Sequence, residues 1–184
     1  AWAHAAGVAS VHGPVVTQLG ELPATDVAHL FRLLEAPTAP TSLAGRWLTG
    51  PRDPVTGPLL GGNLHLLGAL AGTPWQPPLA GAVLLVEDVA EASYRLDRVA
   101  TQLRSQPDDR SAATIAALAI GDLAACRDEP GRPAALSVLA ERLGVGVPVI
   151  TGLPVGHGRR NRAWPFGLPA TVDPDAGTIT WPAT

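Results

Sequence analysis

Three carboxylates, Glu87, Asp88 and Glu91, follow directly on the uninterrupted apolar run 82–86. A carboxylate at the exit of a buried strand can orient an imidazole, accept a proton or hold a metal. Far downstream, His157 stands between Gly156 and Gly158. Flanking glycines let the backbone turn sharply and leave the ring accessible, which suits a histidine that must meet a substrate. Each feature also has a plain alternative. Acids entering a helix offset its dipole, and an isolated surface histidine does no chemistry. From these residues alone both readings stay open. Arg159, Arg160 and Arg162 could grip a substrate carboxylate through paired N–H groups, or form a solvated loop. His4, His12, His29 and His65 lack metal-ligand spacing, so no zinc site is expected, and His12 before Gly13-Pro14 reads as a turn residue. Gly61-Gly62-Asn63 lacks the G-x-G-x-x-G pattern of a phosphate loop. Cys126 reads as a small buried apolar group.

The elements that must position these groups can be read in outline. The run 82–86 is rich in β-branched and apolar residues and reads as a buried strand of a covered sheet. Leu96, Val99 and Leu103 then recur at helical spacing, so the unit is strand, acidic turn, helix. The opening residues 1–6 have the composition of a helix tail, and 7–14 predicts a short strand ending in a turn. Residues 23–35 predict an amphipathic helix, and the proline-punctuated stretch after it predicts a linker at 37–41. Short strands are expected at 42–48 and 56–60, then a helix with Asn63 as its N-cap. A second apolar run, 112–120, is broken by Gly121-Asp122. A helix over 133–143 stops at Gly144, a strand follows at 146–151, and 170–181 predicts a hairpin. Alternating strands and helices make the class α/β.

Composition narrows the function. With 46% hydrophobic and 16% charged residues, the chain of 184 residues can bury a sizeable core and is not disordered. The net charge of −3 leaves no basic footprint for nucleic acid. All 13 basic residues are arginines, and together with 20 Gly and 19 Pro this points to coding bias, not to function. One cysteine rules out an internal disulfide. No apolar run approaches the ~18 residues of a membrane span, and no signal peptide opens the chain. Methionine is absent even at position 1, so a processed piece or fragment is expected.

Five motifs then occur in order: Gly61-Gly-Asn-Leu64, Ala71-Gly-Thr-Pro-Trp75, Leu85-Val-Glu87-Asp88-Val-Ala-Glu91, Tyr94-Arg-Leu-Asp-Arg98 and Leu153-Pro-Val-Gly-His157-Gly158. Together they resemble the C-terminal half of the LD-carboxypeptidases, the muramoyl-tetrapeptide carboxypeptidase family of serine peptidases. The opening Gly7-Val-Ala-Ser-Val-His-Gly-Pro14 resembles the last strand region of that family's N-terminal domain. The resemblance implies an α/β fold with a mixed, partly closed sheet and flanking helices, preceded by the tail of a flavodoxin-like domain. On that basis residues 1–36 are the N-terminal remnant, 37–41 the linker and 42–184 the C-terminal catalytic domain.

The same resemblance implies a Ser–His–Glu triad that removes terminal D-alanine from murein tetrapeptide, with Glu87 as the acid and His157 as the base. It implies no metal and no organic cofactor, a peptide substrate, no nucleic-acid or membrane partner, cytoplasmic murein recycling, and compatibility with a homodimer. The family's nucleophile has no counterpart here. Ser10, Ser42, Ser93, Ser105, Ser111 and Ser137 all lack its context, so this chain alone is expected to be inactive. The stretch after His157 also departs from the family through Arg159-Arg160 and Arg162-Ala-Trp164, which bears on substrate preference. Two other functions fit: a self-immunity peptidase of the same family acting on a peptide–nucleotide antibiotic, and a non-catalytic binding domain with this fold.

Overall fold

The computed structural model describes residues 2–8, 10–35, 41–128, 130–131 and 133–181. Within them the chain runs α1 (Trp2–Ala5), β1 (Ser10–His12), α2 (Ala24–Glu35), β2 (Thr41–Ala44), β3 (Arg46–Thr49), β4 (Val55–Asn63), α3 (Leu64–Ala69), β5 (Val83–Val89) and α4 (Ser93–Arg104). It continues through β6 (Ala117–Ala124), α5 (Ala135–Leu143), β7 (Val149–Thr151), β8 (Trp164–Phe166), β9 (Pro169–Asp173) and β10 (Thr178–Trp181). Most of the expected linker, 37–40, lies outside the described residues, and Thr41 opens β2.

Eight strands form one mixed sheet in the order β2-β10-β9-β4-β5-β6-β7-β3. Strands β4 to β7 run parallel at its centre, while β9, β10, β2 and β3 add antiparallel pairs. The two edge strands, β2 and β3, are joined through Gly45 alone. A single residue between them brings the two ends of the sheet together, so the sheet curls until it nearly closes. Strand β4 makes the corner: 55–58 pair antiparallel with β9, and 59–63 pair parallel with β5.

Strand β5 shows why its sequence is continuously apolar. Val83 and Leu85 enter the core inside the curled sheet, with Leu59, Ile150, Trp164 and Trp181. Leu84 and Val86 enter the core on the other face, with Leu96 and Leu103 of α4, Leu139 of α5 and Leu118 of β6. Both faces are covered, so period-2 alternation is invisible in hydropathy although it governs packing. Each fully buried leucine or valine contributes roughly 1.5–3 kcal/mol of transfer free energy.

The expected break at Gly121-Asp122 does not occur, because β6 runs on to Ala124. A Cβ at position 121 would lie 2.5 Å from the Val155 carbonyl oxygen and 3.3 Å from Glu87 Cβ. The glycine therefore permits close approach of the 152–163 loop; it does not end the strand.

The N-terminal segment packs on one side only. Leu30 and Leu33 of α2 bury against Ala163, with Val11 and Leu19 beside them, and β1 pairs antiparallel with β8. On the outer side Val8, Val15, Val16, Phe31 and Leu34 are exposed. Of Leu30, Leu33 and Leu34, only Leu34 is exposed, because α2 docks its inner stripe on the segment after His157.

Candidate active site

The parallel strands β4, β5, β6 and β7 end at one edge of the sheet, and that edge presents Asn63, Glu87, Asp122 and the loop after Thr151. The C-terminal edge of a parallel sheet is where open α/β folds place working groups. Glu87 sits opposite Asn63 of β4, and the β5–β6 register shifts between Val86 and Asp88. Such an irregularity re-aims the side chain at the strand's end. Alternation assigns Glu87 to the same face as Val83 and Leu85, and Asp88 to the helix-covered face of Leu84 and Val86. Adjacent acids are thereby committed to different surroundings.

His157 meets Glu87 directly. Its Nδ1 lies 2.7 Å from Glu87 Oε2, and the carboxylate is only 1% exposed while the imidazole side chain is 45% exposed. An ionised Glu87 accepts the Nδ1–H proton, which leaves Nε2 as the basic nitrogen. Burial pushes the Glu87 carboxyl above its ordinary range, and the His157 contact offsets this only in part. Gly156 has φ +127°, and a Cβ there would come within 2.9 Å of Glu87 Oε2. The residue before His157 must be glycine for the loop to reach the acid.

The loop is also held from its far side. Gly156 N donates to Asn161 Oδ1 at 3.2 Å, and Asn161 Nδ2 donates to Gln18 Oε1 at 3.3 Å. Arg160 donates Nε and Nη2 to the two oxygens of Asp26 at 3.1 and 2.6 Å, and Arg162 Nε donates to Asp26 Oδ1 at 3.3 Å. Asp26 is fully buried. Burial raises its carboxyl, but the Arg160 and then the Arg162 guanidinium outweigh burial and hold it below the usual carboxylate range. His29 Nε2 donates to the Ala163 carbonyl at 2.9 Å. Asp26, Asn161 and Gln18 were not among the sequence-level candidates. Asp26 reads simply as a first-turn acid of α2, and its partners are more than a hundred residues away.

Asp88 differs from expectation. It is not a first-turn acid of α4, which begins at Ser93 and has no acid in its first turn. Asp88 is 2% exposed and accepts from Asn63 Nδ2, His65 N and Val89 N, while its Oδ2 lies 2.6 Å from His65 Nδ1. It serves the start of α3, where Asn63 accepts from Leu66 N as the N-cap.

The fold also groups His65 with Asp88 and Glu91, which linear spacing did not suggest, and their ligand-type atoms all lie within 4.8 Å of one another. Asp88 is already saturated by its donors and Glu91 pairs with Arg95, so the group is internally satisfied. His12 lies near the site, stacked on Trp164 with ring centroids 4.9 Å apart. Burial, then the neighbouring His157, disfavour its protonation, so it is an uncharged wall of the site. Cys126 is half-buried, and burial pushes its thiol up and away from reactivity. No helix among the described residues is long and apolar enough to cross a membrane.

Comparison with known proteins identifies what the chain is similar to. The profile of the LD-carboxypeptidase C-terminal domain matches residues 56–172. A Synechocystis protein bearing a provisional carboxypeptidase name is 37% identical over 179 residues, covering 95% of this chain and 57% of that protein. The murein tetrapeptide carboxypeptidase of Pseudomonas aeruginosa is 36% identical over 186 residues, covering 92% of this chain and 58% of that protein. The crystal structure of muramoyltetrapeptide carboxypeptidase from Oxalobacter formigenes superposes with a TM-score of 0.76 at 34% identity, over 95% of this chain and 61% of that one. The chain thus spans somewhat over half the length of the relatives it matches. A matched profile over most of the chain and a shared mixed α/β fold lead to one conclusion: the chain belongs to the LD-carboxypeptidase family, of which it carries the C-terminal domain.

Proposed function

We propose that this chain supplies the acid and the general base of a serine carboxypeptidase that releases terminal D-alanine from murein tetrapeptide. The single observation carrying the reading is the 2.7 Å contact from His157 Nδ1 to Glu87 Oε2, between an open ring and a buried carboxylate at the end of a parallel strand. Glu87 holds the imidazole in one tautomer and stabilises the imidazolium that forms. Nε2 takes the proton of a serine hydroxyl as the serine oxygen bonds to the carbonyl carbon of the L,D-amide. The same proton then passes to the departing amine of D-alanine as the C–N bond breaks. Water repeats the sequence on the acyl-enzyme.

The serines of this chain serve other places. Ser10 and Ser42 lie in β1 and β2, Ser105 and Ser111 donate to backbone carbonyls, and Ser93 and Ser137 lie in α4 and α5. In this reading the nucleophile lies outside residues 1–184 and the chain by itself does not turn over. Residues 1–36 would then close an N-terminal domain of flavodoxin type, 37–41 link, and 42–184 form the catalytic C-terminal domain. Cytoplasmic murein recycling is the corresponding cellular role. The names of the Pseudomonas and Oxalobacter relatives support the substrate class.

The test is hydrolysis of a murein tetrapeptide by the serine-containing full-length protein, followed by mass analysis. The expected products are D-alanine and tripeptide, with no cleavage when the third residue is inverted to its D-epimer. Cleavage of a peptide–nucleotide conjugate in place of the tetrapeptide would replace this function with self-immunity. Binding without cleavage of either would make the chain a recognition domain.

A further inference from the structure

The loop that carries His157 contains three arginines, and the fold uses them differently. Arg160 and Arg162 are spent on the buried carboxylate of Asp26. Arg159 is exposed and makes no hydrogen bond or ion pair among the described residues. It is nonetheless anchored on both sides: Arg160 is locked to Asp26, and Gly158 packs so tightly on Asp122 that a Cβ there would overlap its carboxylate.

Arg159 stands where two open clefts meet. One, of about 760 Å³, is lined by Gln18, Leu22, Pro23 and His157; the other, of about 660 Å³, by Gly121, Thr151 and Pro154. The same residue therefore lines the cleft that holds the candidate base. Glu21 also lines that cleft, and Arg159 is the arginine there without a fixed partner among the described residues.

A peptidase that acts only on the last amide of a peptide must read the free carboxylate beyond it. Resting on the peptidase reading above, we propose that Arg159 is the receptor for that terminal carboxylate. An arginine suits the task because its planar fork matches a carboxylate through two parallel charge-assisted hydrogen bonds. The short spacing from His157 sets how far the bound carboxylate lies from the scissile carbonyl. Internal amides, with no carboxylate at that distance, would go unread. The pinned neighbours fix the backbone at Arg159, so only its side chain must be ordered when it engages its ligand.

The test compares two substrates in the full-length protein: a tetrapeptide ending in D-alanine and the same peptide ending in D-alaninamide. In the wild type, kcat/KM for the acid should exceed that for the amide by about 10²-fold, the discrimination expected of a charge-assisted, two-point contact that the bound substrate covers. Arg159→Met should remove most of that difference by raising KM for the acid about 10²-fold, and should change the amide by less than about 3-fold. Arg159→Lys should restore part of the preference as a point charge. Equal losses on both substrates, or a preference intact in Arg159→Met, would overturn the assignment. A wild type that releases neither leaving group would refute the peptidase reading itself, which separates the two failures.

Discussion

Removing the Asp26 carboxylate should loosen the His157 loop and lower stability in a pH-dependent way. Asp26 accepts three N–H bonds from Arg160 and Arg162 and is fully buried, while the two guanidinium side chains are 48% and 28% exposed. Breaking a fully buried pair costs about 3–5 kcal/mol. Exposure of the arginines lets water recover part of that loss, so Asp26→Asn should cost about 2 kcal/mol and Asp26→Ala about 3 kcal/mol. Because the folded carboxyl is held below its unfolded value, its contribution is present above the unfolded value and is lost as pH falls through the folded one. Glu87 has the opposite sign. Its folded carboxyl is raised, so its contribution is present below the unfolded value and is lost as pH rises through the folded one. The difference between wild type and variant isolates Asp26 from that background. Urea unfolding near pH 7 should show the full difference, and unfolding near pH 3, below the ordinary aspartate value of about 3.9, should show it reduced. A cost under about 0.5 kcal/mol, or one equal at both pH values, would refute the ionic account of this clamp.

Other consequences can be checked separately. Gly61→Ala should destabilise by at least about 3 kcal/mol in urea unfolding, because φ is +132° and a Cβ would overlap the Leu85 carbonyl oxygen in the β4–β5 ladder. Asn161→Ala should cost about 1–2 kcal/mol and speed hydrogen exchange at the Gly156 amide, which loses its acceptor. Activity should fall as pH drops through the raised Glu87 value, above the range of an ordinary glutamate, since a protonated acid no longer stabilises the imidazolium; a pH–rate profile measures this.

Much of this was legible in the sequence, for identifiable reasons. The β5 run is apolar because both its faces are covered, and the acids start where cover ends. Flanking glycines marked His157, although the reason proves sharper than accessibility: Gly156 is there because Glu87 is. The motifs were enough to point to the family. Hidden were the facts that depend on distant pairing. Whether Glu87 or Asp88 faces His157 depends on which face each takes at the register shift in β5, a distinction of one residue. Asp88 could be read as an acid entering the helix after it, but β5 extends through it and its carboxylate serves α3 instead. Asp26 carried no signal, since its partners lie at the other end of the chain. Closure of the sheet came through the family resemblance alone, because nothing in 41–49 says that two successive strands take opposite edges.

The central claim is that Glu87 holds His157 as a general base, and Glu87→Gln tests it most directly. The substitution keeps shape and removes charge, so an amide N–H can face Nδ1 and select the wrong tautomer. Measured as kcat/KM for D-alanine release by the full-length protein, Glu87→Gln and His157→Ala should each fall by about 10³-fold or more. The urea midpoint of Glu87→Gln should stay level or rise, because the buried charge it removes is disfavoured by burial. Glu91→Gln, whose side chain pairs with the exposed Arg95, should keep nearly the wild-type rate. A Glu87→Gln protein that releases D-alanine at the wild-type rate would contradict the account.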